Sequence, residues 1–239
     1  MMLAQGAAAR IRQNLEEVRS RIAAAAHRSA RSPENITLVA VTKYVDAPLI
    51  RALVEAGCHN LGESRPQQLW QKAEQLADLD IHWHLVGHLQ RNKVRRTLPY
   101  IAWLHSADSI PLLEALQHHA GQVLNRPLPT LLEVNISGEA AKHGFAPQEL
   151  PAVLEALPKC PNLAVRGLMT MARLEGGPGA ARADFAALRE LRDRLRQQFG
   201  HAVCLDELSM GMSGDFEVAI EEGATMVRIG SALFEGVQP

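Results

Sequence analysis

Apolar and polar positions follow two periods along this chain, and the change from one to the other recurs. Residues 36–43 form an apolar run that contains two threonines and ends in Lys43. A β-branched run of this length predicts a strand buried on both faces, as in parallel sheets. Before it, residues 3–30 place apolar side chains at helical spacing, which predicts an amphipathic helix.

The alternation of strand and helix patterns continues to the end of the chain. Seven more strands are predicted at residues 59–62, 81–87, 100–106, 128–136, 163–171, 203–210 and 225–229. Helices are predicted at residues 46–56, 64–77, 92–98, 110–120, 147–157, 180–198 and 216–222.

Eight strand-then-helix units in 239 residues predict a closed (β/α)₈ barrel, with the last helix short or missing. We expect one domain, residues 1–239, whose N-terminal helix, within residues 1–31, covers the outside of the barrel. A doubly wound open sheet is the alternative fold. It would be favoured by a G-x-G-x-x-G turn after the first strand, and the sequence has none there.

The composition of the chain limits which partners it can bind and indicates the compartment in which it works. A formal net charge of −1 gives no electrostatic footprint for nucleic acid or an anionic membrane. The three cysteines, Cys58, Cys160 and Cys204, are widely spaced and form no C-x-x-C pair, which favours a reducing compartment over disulfides or a zinc site. No apolar segment is long enough for a signal peptide or a membrane span, so we expect a cytoplasmic protein.

The ends of the predicted strands are where a barrel of this kind carries its site. Lys43 ends the first strand, and an amine desolvated there could act as a nucleophile that forms a Schiff base. The simpler interpretation is that the strand has ended and the lysine extends into water.

Two turns after the last two strands have the composition of a phosphate site. Ser213 and Gly214 precede a predicted helix, and Gly230 and Ser231 follow the eighth strand. Backbone N–H groups in such turns bind anions in many barrels, although each turn alone is also ordinary.

Arg228 interrupts one face of the eighth strand, so it needs a partner if that face points inward. A structural ion pair with Glu63 or Glu207 and a ligand contact are both open. A Schiff-base lysine, a phosphate site and an arginine facing a ring nitrogen together indicate pyridoxal phosphate. Arginine stays protonated and cannot give that nitrogen a proton, so the ring would be a weak electron sink.

Two other interpretations compete with this one. His82 and His84 share one strand face, and with His88 and His105 nearby they could form the metal cluster of a barrel hydrolase. The helix at residues 180–198, with its arginines, could be a protein-docking face, although such helices are usually solvated.

Several motifs in order resemble the pyridoxal phosphate homeostasis proteins (the YggS/PROSC type). The resemblance extends from residue 36 to residue 236. Its motifs are Ala40-Val41-Thr42-Lys43, Leu61-Gly62-Glu63 with Gln67, Trp83-His84-Leu85-Val86-Gly87 with Leu89-Gln90 and Asn92-Lys93, Val134-Asn135-Ile136-Ser137, Arg166-Gly167-Leu168-Met169, Leu208-Ser209-Met210-Gly211-Met212-Ser213 with Asp215, and Met226-Val227-Arg228-Ile229-Gly230-Ser231.

The resemblance implies a barrel similar to the N-terminal domain of alanine racemase, with pyridoxal 5′-phosphate as cofactor. It implies Lys43 as the Schiff-base lysine, Arg228 near the pyridine nitrogen and His84 near the ring. The expected cofactor contacts are Lys43, Ser64, His84, Met210, Ser213, Arg228, Gly230 and Ser231. Family members resemble carriers or regulators of cofactor supply and of amino- and keto-acid balance. They are mostly monomers without established turnover, and apo forms of cofactor-dependent enzymes are the expected partners.

The chain departs from the family pattern at a few positions. Ser64 stands where many members have asparagine, Leu85 stands where an aromatic is usual, and residues 44–46 lack the second nearby lysine of some relatives. Three residues follow Gly236, so we expect no added domain to supply a second base for racemisation. A cofactor carrier is therefore the predicted function, and a low-activity racemase or lyase is the alternative.

Overall fold

The computed structural model describes residues 2–139, 141–173 and 177–237. Its eight parallel strands pair in sequence order, β1 to β8, and β8 pairs with β1 to close the barrel. This confirms the predicted fold. The strands are β1 Thr37–Val41, β2 Asn60–Glu63, β3 His82–Leu85, β4 Trp103–Ala107, β5 Leu128–Glu133, β6 Leu163–Met169, β7 Glu207–Ser209 and β8 Met226–Ile229. The helices are α1 Met2–Arg28, α2 Ala47–Glu55, α3 Pro66–Gln75, α4 Val94–Thr97, α5 Ile110–Val123, α6 Leu150–Ala156, α7 Gly177–Phe199 and α8 Phe216–Glu221.

Alternation along each strand separates an outer core from the barrel interior. In β8, Val227 and Ile229 belong to the large hydrophobic cluster between strands and helices. Met226 lies on the opposite face, where it packs with Leu131 and Met169. Arg228 shares the face of Met226 and therefore points into the barrel, above this small apolar layer.

The N-terminal helix α1 occupies the place that an eighth helix would take. It packs against α2, α8 and the 3₁₀ turn Ser231–Leu233, which is the only helical element after β8 in the described residues. Asn14 in α1 connects the N-terminal helix to the C-terminal segment, because its side-chain amide donates to the carbonyls of Leu233 at 3.1 Å and Glu235 at 2.9 Å. The prediction of a covering helix is confirmed, and the structure adds which gap it covers.

Several strands are shorter than the sequence predicts. β1 ends at Val41 rather than at Lys43, and β7 contains only three residues. β4 begins at Trp103 because Leu98–Tyr100, with Pro99 inside, forms a 3₁₀ turn. The expectation about the chain beyond Gly236 falls partly on residues 238 and 239, outside the described ranges.

The fold also bears on the predictions about the cysteines, membrane-spanning segments and the charged helix. The three cysteines are free thiols. None of the helices in the described ranges is long and apolar enough to cross a membrane. In the charged helix α7, Arg182 and Arg189 both form ion pairs with Glu222, so part of its positive charge is balanced within the protein.

Candidate functional site

Arg228 is the charged centre of the barrel interior. It is 5% exposed, and its guanidinium donates to Ser209 Oγ at 2.6 Å and to the Thr170 carbonyl at 2.9 Å. Burial lowers the pKa of Arg228 to about 10, and the charges of Glu133 and Asp215 oppose this shift. The side chain therefore keeps its positive charge at neutral pH.

The ion pair that the sequence left open for Arg228 does not form. Glu63 points out of the barrel, where its carboxylate binds Lys72 Nζ at 2.6 Å, and Glu207 accepts a hydrogen bond from Thr225. Within the described ranges, Arg228 forms no salt bridge, and its two side-chain hydrogen bonds account for two of its five N–H groups. The remaining donors are available to a ligand.

A hydrogen-bonded chain crosses the interior from Arg228 to β2. Ser209 Oγ lies 2.8 Å from His105 Nδ1, His105 Nε2 lies 2.9 Å from His84 Nδ1, and His84 Nε2 lies 3.2 Å from Asn60 Oδ1. Arginine can only donate, so Ser209 accepts from it and donates to His105. His105 then donates to His84, and His84 donates to the amide oxygen of Asn60. We infer that both histidines are neutral and that each has one assigned tautomer.

The electrostatics of the two histidines agree with this assignment. Burial, with a smaller effect of His82, lowers the pKa of His84 to about 3. Burial also lowers the pKa of His105 well below its usual value, and His84 and Arg228 add to this effect. Two neutral imidazoles can lie in contact beside a guanidinium without repulsion, whereas two imidazolium ions could not.

The metal cluster predicted around His82 and His84 is wrong. Both ring nitrogens of His84 are engaged in the hydrogen-bonded chain, and His82 lies at the start of β3 with its side chain 57% exposed. Within the described ranges, the only group of three possible metal ligands includes neither His82 nor His84. It lies at the mouth of the barrel, by which we mean the end where the loops follow the C-terminal ends of the strands.

The turns after β7 and β8 meet beside Arg228. Ser213 Oγ accepts hydrogen bonds from the backbone N–H groups of Gly230 at 3.2 Å and Ala232 at 3.5 Å. A Cβ on Gly230 would lie 3.2 Å from the carbonyl oxygen of Val41, so this turn also packs closely on the end of β1. The structure therefore brings together Ser213, Gly230 and the segment that leads to Lys43.

Lys43 lies two residues beyond β1 and is exposed, so the strand has ended before it and its side chain extends into water. Pairing of β1 with β2 ends at Val41, and the Val45 N–H closes a turn onto the Thr42 carbonyl at 2.9 Å. The Lys43 Nζ lies 4.9 Å from the ring centroid of Tyr44, which is itself 84% exposed. The amine is accessible from solvent at the mouth.

The other predicted contacts lie at different depths. Ser64 is half-buried at the mouth, and its carbonyl packs so closely on Gly87 that a Cβ there would lie 2.2 Å away. Met210 is fully buried in the outer core, and its N–H donates to the Met226 carbonyl. The structure therefore does not bring the Met210 side chain to the surface of the mouth.

Sequence reasoning missed several residues of the interior, namely Asn60, Glu133, Thr170 and Ser209, and it assigned His105 to a metal cluster. Glu133, at the end of β5, is 4% exposed. Burial raises the pKa of Glu133 to about 7, Asp108 adds to the shift and Arg228 opposes it. Strand alternation could have indicated these positions, because each lies on an inward face or directly after a strand.

The closed parallel barrel, with its candidate site at the C-terminal ends of the strands, belongs to the class of barrels of the alanine racemase type. Residues 8–238 match the family of the alanine racemase N-terminal domain. An alanine racemase of Clostridium difficile superposes with a TM-score of 0.71 over 93% of this chain and 56% of that chain, at 14% identity, which is a likeness of fold alone.

Nearer relatives narrow the class. The pyridoxal phosphate homeostasis protein of Pseudomonas aeruginosa is 42% identical over 94% of this chain and 94% of its own length. That of Escherichia coli K12 is 36% identical over 94% and 95%. The structure of PipY from Synechococcus elongatus with bound pyridoxal phosphate shares 36% identity and a TM-score of 0.83, covering 94% of this chain and 99% of that one. The chain belongs to the family of pyridoxal phosphate homeostasis proteins, as its motifs predicted.

Proposed function

We propose that this protein binds pyridoxal 5′-phosphate at the mouth of the barrel and acts in the homeostasis and delivery of this cofactor, and so in amino-acid and keto-acid balance. The observation that carries the proposal is the meeting of the β7 and β8 turns, where Ser213 Oγ accepts from the amides of Gly230 and Ala232. The names of its relatives and the cofactor bound to PipY support it.

The phosphate group of the cofactor would bind where the turns after β7 and β8 come together. Backbone amides that now donate to a serine hydroxyl would also donate to phosphate oxygens, and the hydroxyls of Ser213 and Ser231 would add two more donors. Gly230 leaves room for this approach beside the carbonyl of Val41. The site therefore supplies neutral donors for the anion, with Arg228 as the nearby charge.

Arg228 would face the pyridine nitrogen with a donor. Because its pKa remains near 10, it does not release a proton to the ring at neutral pH. Ser209 is hydrogen-bonded both to the neutral His105 and to the guanidinium of Arg228. These bonds orient the guanidinium, and so its free N–H groups, towards the pyridine ring. A ring that is not protonated is a weak electron sink, which favours a carrier over an enzyme.

Lys43 would attach the cofactor as a Schiff base, in which its amine condenses with the aldehyde and releases water. Its exposed position, beside the exposed Tyr44, gives water and competing amines access to this bond. Such access suits a reversible tether. Ser64 and His84 would line the remaining sides of the ring.

The whole chain would work as a single cofactor-binding domain. We propose a cytoplasmic monomer that passes the cofactor to apo forms of cofactor-dependent enzymes. The relatives are named for homeostasis rather than for a reaction, which agrees with a role other than catalysis.

The test is covalent capture of the cofactor. The purified protein is incubated with pyridoxal phosphate, its visible spectrum is recorded, and borohydride reduction is followed by peptide mapping. We expect one labelled lysine, Lys43, and no visible band or label in Lys43→Arg, which keeps the charge. Lys159→Ala, remote from the mouth, is the matched control and should label like wild type.

Two results would contradict the proposal. Label spread over many lysines, with Lys43→Arg labelled as strongly as wild type, would show non-specific reaction. Steady turnover of amino acids by the loaded protein, lost in Lys43→Arg, would instead identify the racemase or lyase alternative.

A further inference from the structure

The mouth of the barrel has a second group of side chains, on the side opposite the Ser213 and Gly230 turns. His88 follows β3, Asp108 directly follows β4, and His143 lies in the loop after β5. One ligand atom from each of the three lies within 4.8 Å of the others. The cofactor site described above uses none of these residues.

The geometry of the group converges on one carboxylate oxygen. Asp108 Oδ2 lies 2.7 Å from His88 Nδ1 and 3.9 Å from His143 Nδ1. The two imidazoles stack with centroids 4.2 Å apart and planes 13° apart, so both rings present the same edge to the aspartate. Ser109 donates to the other oxygen, Oδ1, at 2.9 Å and thereby orients the carboxylate.

We propose that His88, Asp108 and His143 bind a divalent transition-metal ion of the zinc class. Two imidazole nitrogens and one carboxylate oxygen form a common ligand set for such ions and leave further positions open. Zinc bonds of about 2.0–2.2 Å require ligand atoms roughly 3.3 Å apart in a tetrahedron. The observed separations of 2.7 and 3.9 Å bracket this distance. Because the two rings stack nearly parallel, at least one of them must turn before both Nδ1 atoms can point at one ion, and the exposure of the rings leaves room for this rotation.

Hydrogen bonds tie the residues on either side of His143 to the strand ends of the barrel. Phe145 N–H donates to the Glu133 carbonyl at 2.8 Å, and the Phe145 carbonyl accepts from the Asn135 N–H at 3.0 Å. Lys142 anchors the same loop to the Ala172 carbonyl at 3.2 Å. Gly144, at φ 110°, fits against β5 where a Cβ would meet backbone atoms at 2.9 Å. An ion bound here joins the loops after β3, β4 and β5 across one side of the mouth.

The surroundings favour a cation. The carboxylate of Asp108 is only 6% exposed, whereas His88 and His143 are 41% and 59% exposed at the side chain. A buried carboxylate beside two imidazole rings gains from a bound divalent ion. The exposed rings leave a path for the ion to enter.

The experiment is a titration of the full chain, without an affinity tag and after chelator treatment, with Zn²⁺ by calorimetry and with Co²⁺ by visible absorbance. We expect one equivalent in each case and a Co²⁺ spectrum that differs from that of the hydrated ion. His88→Ala and His143→Ala should each weaken binding by at least about 10-fold, because each removes a direct ligand. His119→Ala is the matched control, a half-buried histidine on α5 outside the proposed site, and should bind like wild type.

Several results would overturn the proposal. They are equal affinity in His88→Ala, His143→Ala and wild type, loss of binding in His119→Ala, or no saturable binding by wild type. Since both substituted ligands are exposed, folding of the variants is checked simply by circular dichroism. Lys43→Arg should bind the ion like wild type, so this test and that of the proposed cofactor site fail independently.

Discussion

The buried histidine chain makes the stability of this protein sensitive to acid. His84 and His105 are neutral inside the barrel. Arg228 can only donate, so it fixes the direction of every hydrogen bond in the row that runs through Ser209, His105 and His84. In the unfolded chain both rings regain their usual pKa and bind protons below about 6.5. Because the unfolded state then binds more protons than the folded state, stability must fall as the pH falls.

The size of the effect follows from the shift of one residue. With a folded pKa of about 3 for His84, each pH unit between that value and 6.5 costs about 1.4 kcal/mol. Lowering the pH from about 7 to about 5 therefore removes about 2 kcal/mol through His84. Burial also lowers the pKa of His105 well below its usual value, so His105 adds a loss of stability in the same direction. Native domains have only about 5–15 kcal/mol in total.

Glu133 acts in the opposite direction. With its folded pKa raised to about 7, its folded state binds the extra proton as the pH falls, which returns about 2 kcal/mol over the same interval. The effects of His84 and Glu133 therefore nearly cancel over this interval, and the net loss of stability is the part that His105 contributes. The variant Glu133→Gln should lack this compensation and lose about 2 kcal/mol more than wild type over the interval.

The assay is denaturant unfolding followed by circular dichroism at the two pH values, for wild type, His84→Gln and Glu133→Gln. His84→Gln will be less stable at both pH values, but the difference between them should shrink by about 2 kcal/mol. The reasoning is refuted if the pH dependence of His84→Gln and of Glu133→Gln equals that of wild type. It is also refuted if the protein becomes more stable between pH 7 and 5.

Three further predictions concern packing, the closure of the barrel and the cofactor. Gly87→Ala should destabilise the fold by about 1–3 kcal/mol in denaturant unfolding, because its Cβ would lie 2.2 Å from a carbonyl oxygen; Gly214→Ala, which meets nothing within 4 Å, should be nearly neutral. Asn14→Ala should cost about 1–3 kcal/mol in the same assay, since two carbonyls lose their donor. Ser213→Ala should weaken pyridoxal phosphate binding in a spectral titration by about 10-fold, the equivalent of about 1.4 kcal/mol, and an unchanged affinity would argue against this phosphate site.

The edge of the barrel that carries the candidate site follows from the order of the strands. Lys43, Ser213 and Gly230 each follow a predicted strand, and in a parallel barrel every strand ends on the same side. Arg228 could also be assigned to the interior, because alternation along a strand is a local property. The helix α1 was predicted from its spacing, but only packing decided that it fills the gap between α2 and α8.

Side-chain partners could not be predicted in the same way. An ion pair of Arg228 with Glu63 or Glu207 was open from the sequence, yet Glu63 faces outwards to Lys72, because its strand position has the opposite parity. His105 and Ser209 are 104 residues apart in sequence and 2.8 Å apart in the structure. No local pattern encodes which inward residues of different strands meet.

By itself, then, the sequence determined the order of strands and helices, the closed parallel barrel and the family, and it predicted the edge of the barrel for the candidate site. These follow from residue periodicity and from short motifs, which act over a few neighbouring residues. Only the tertiary structure decided that Lys43 is exposed, that Arg228 has no carboxylate partner in the described ranges, and that His84 is a neutral link in a hydrogen-bonded chain. Those properties depend on where the strands end and which side chains face each other across the barrel, and that geometry exists only when the barrel has closed.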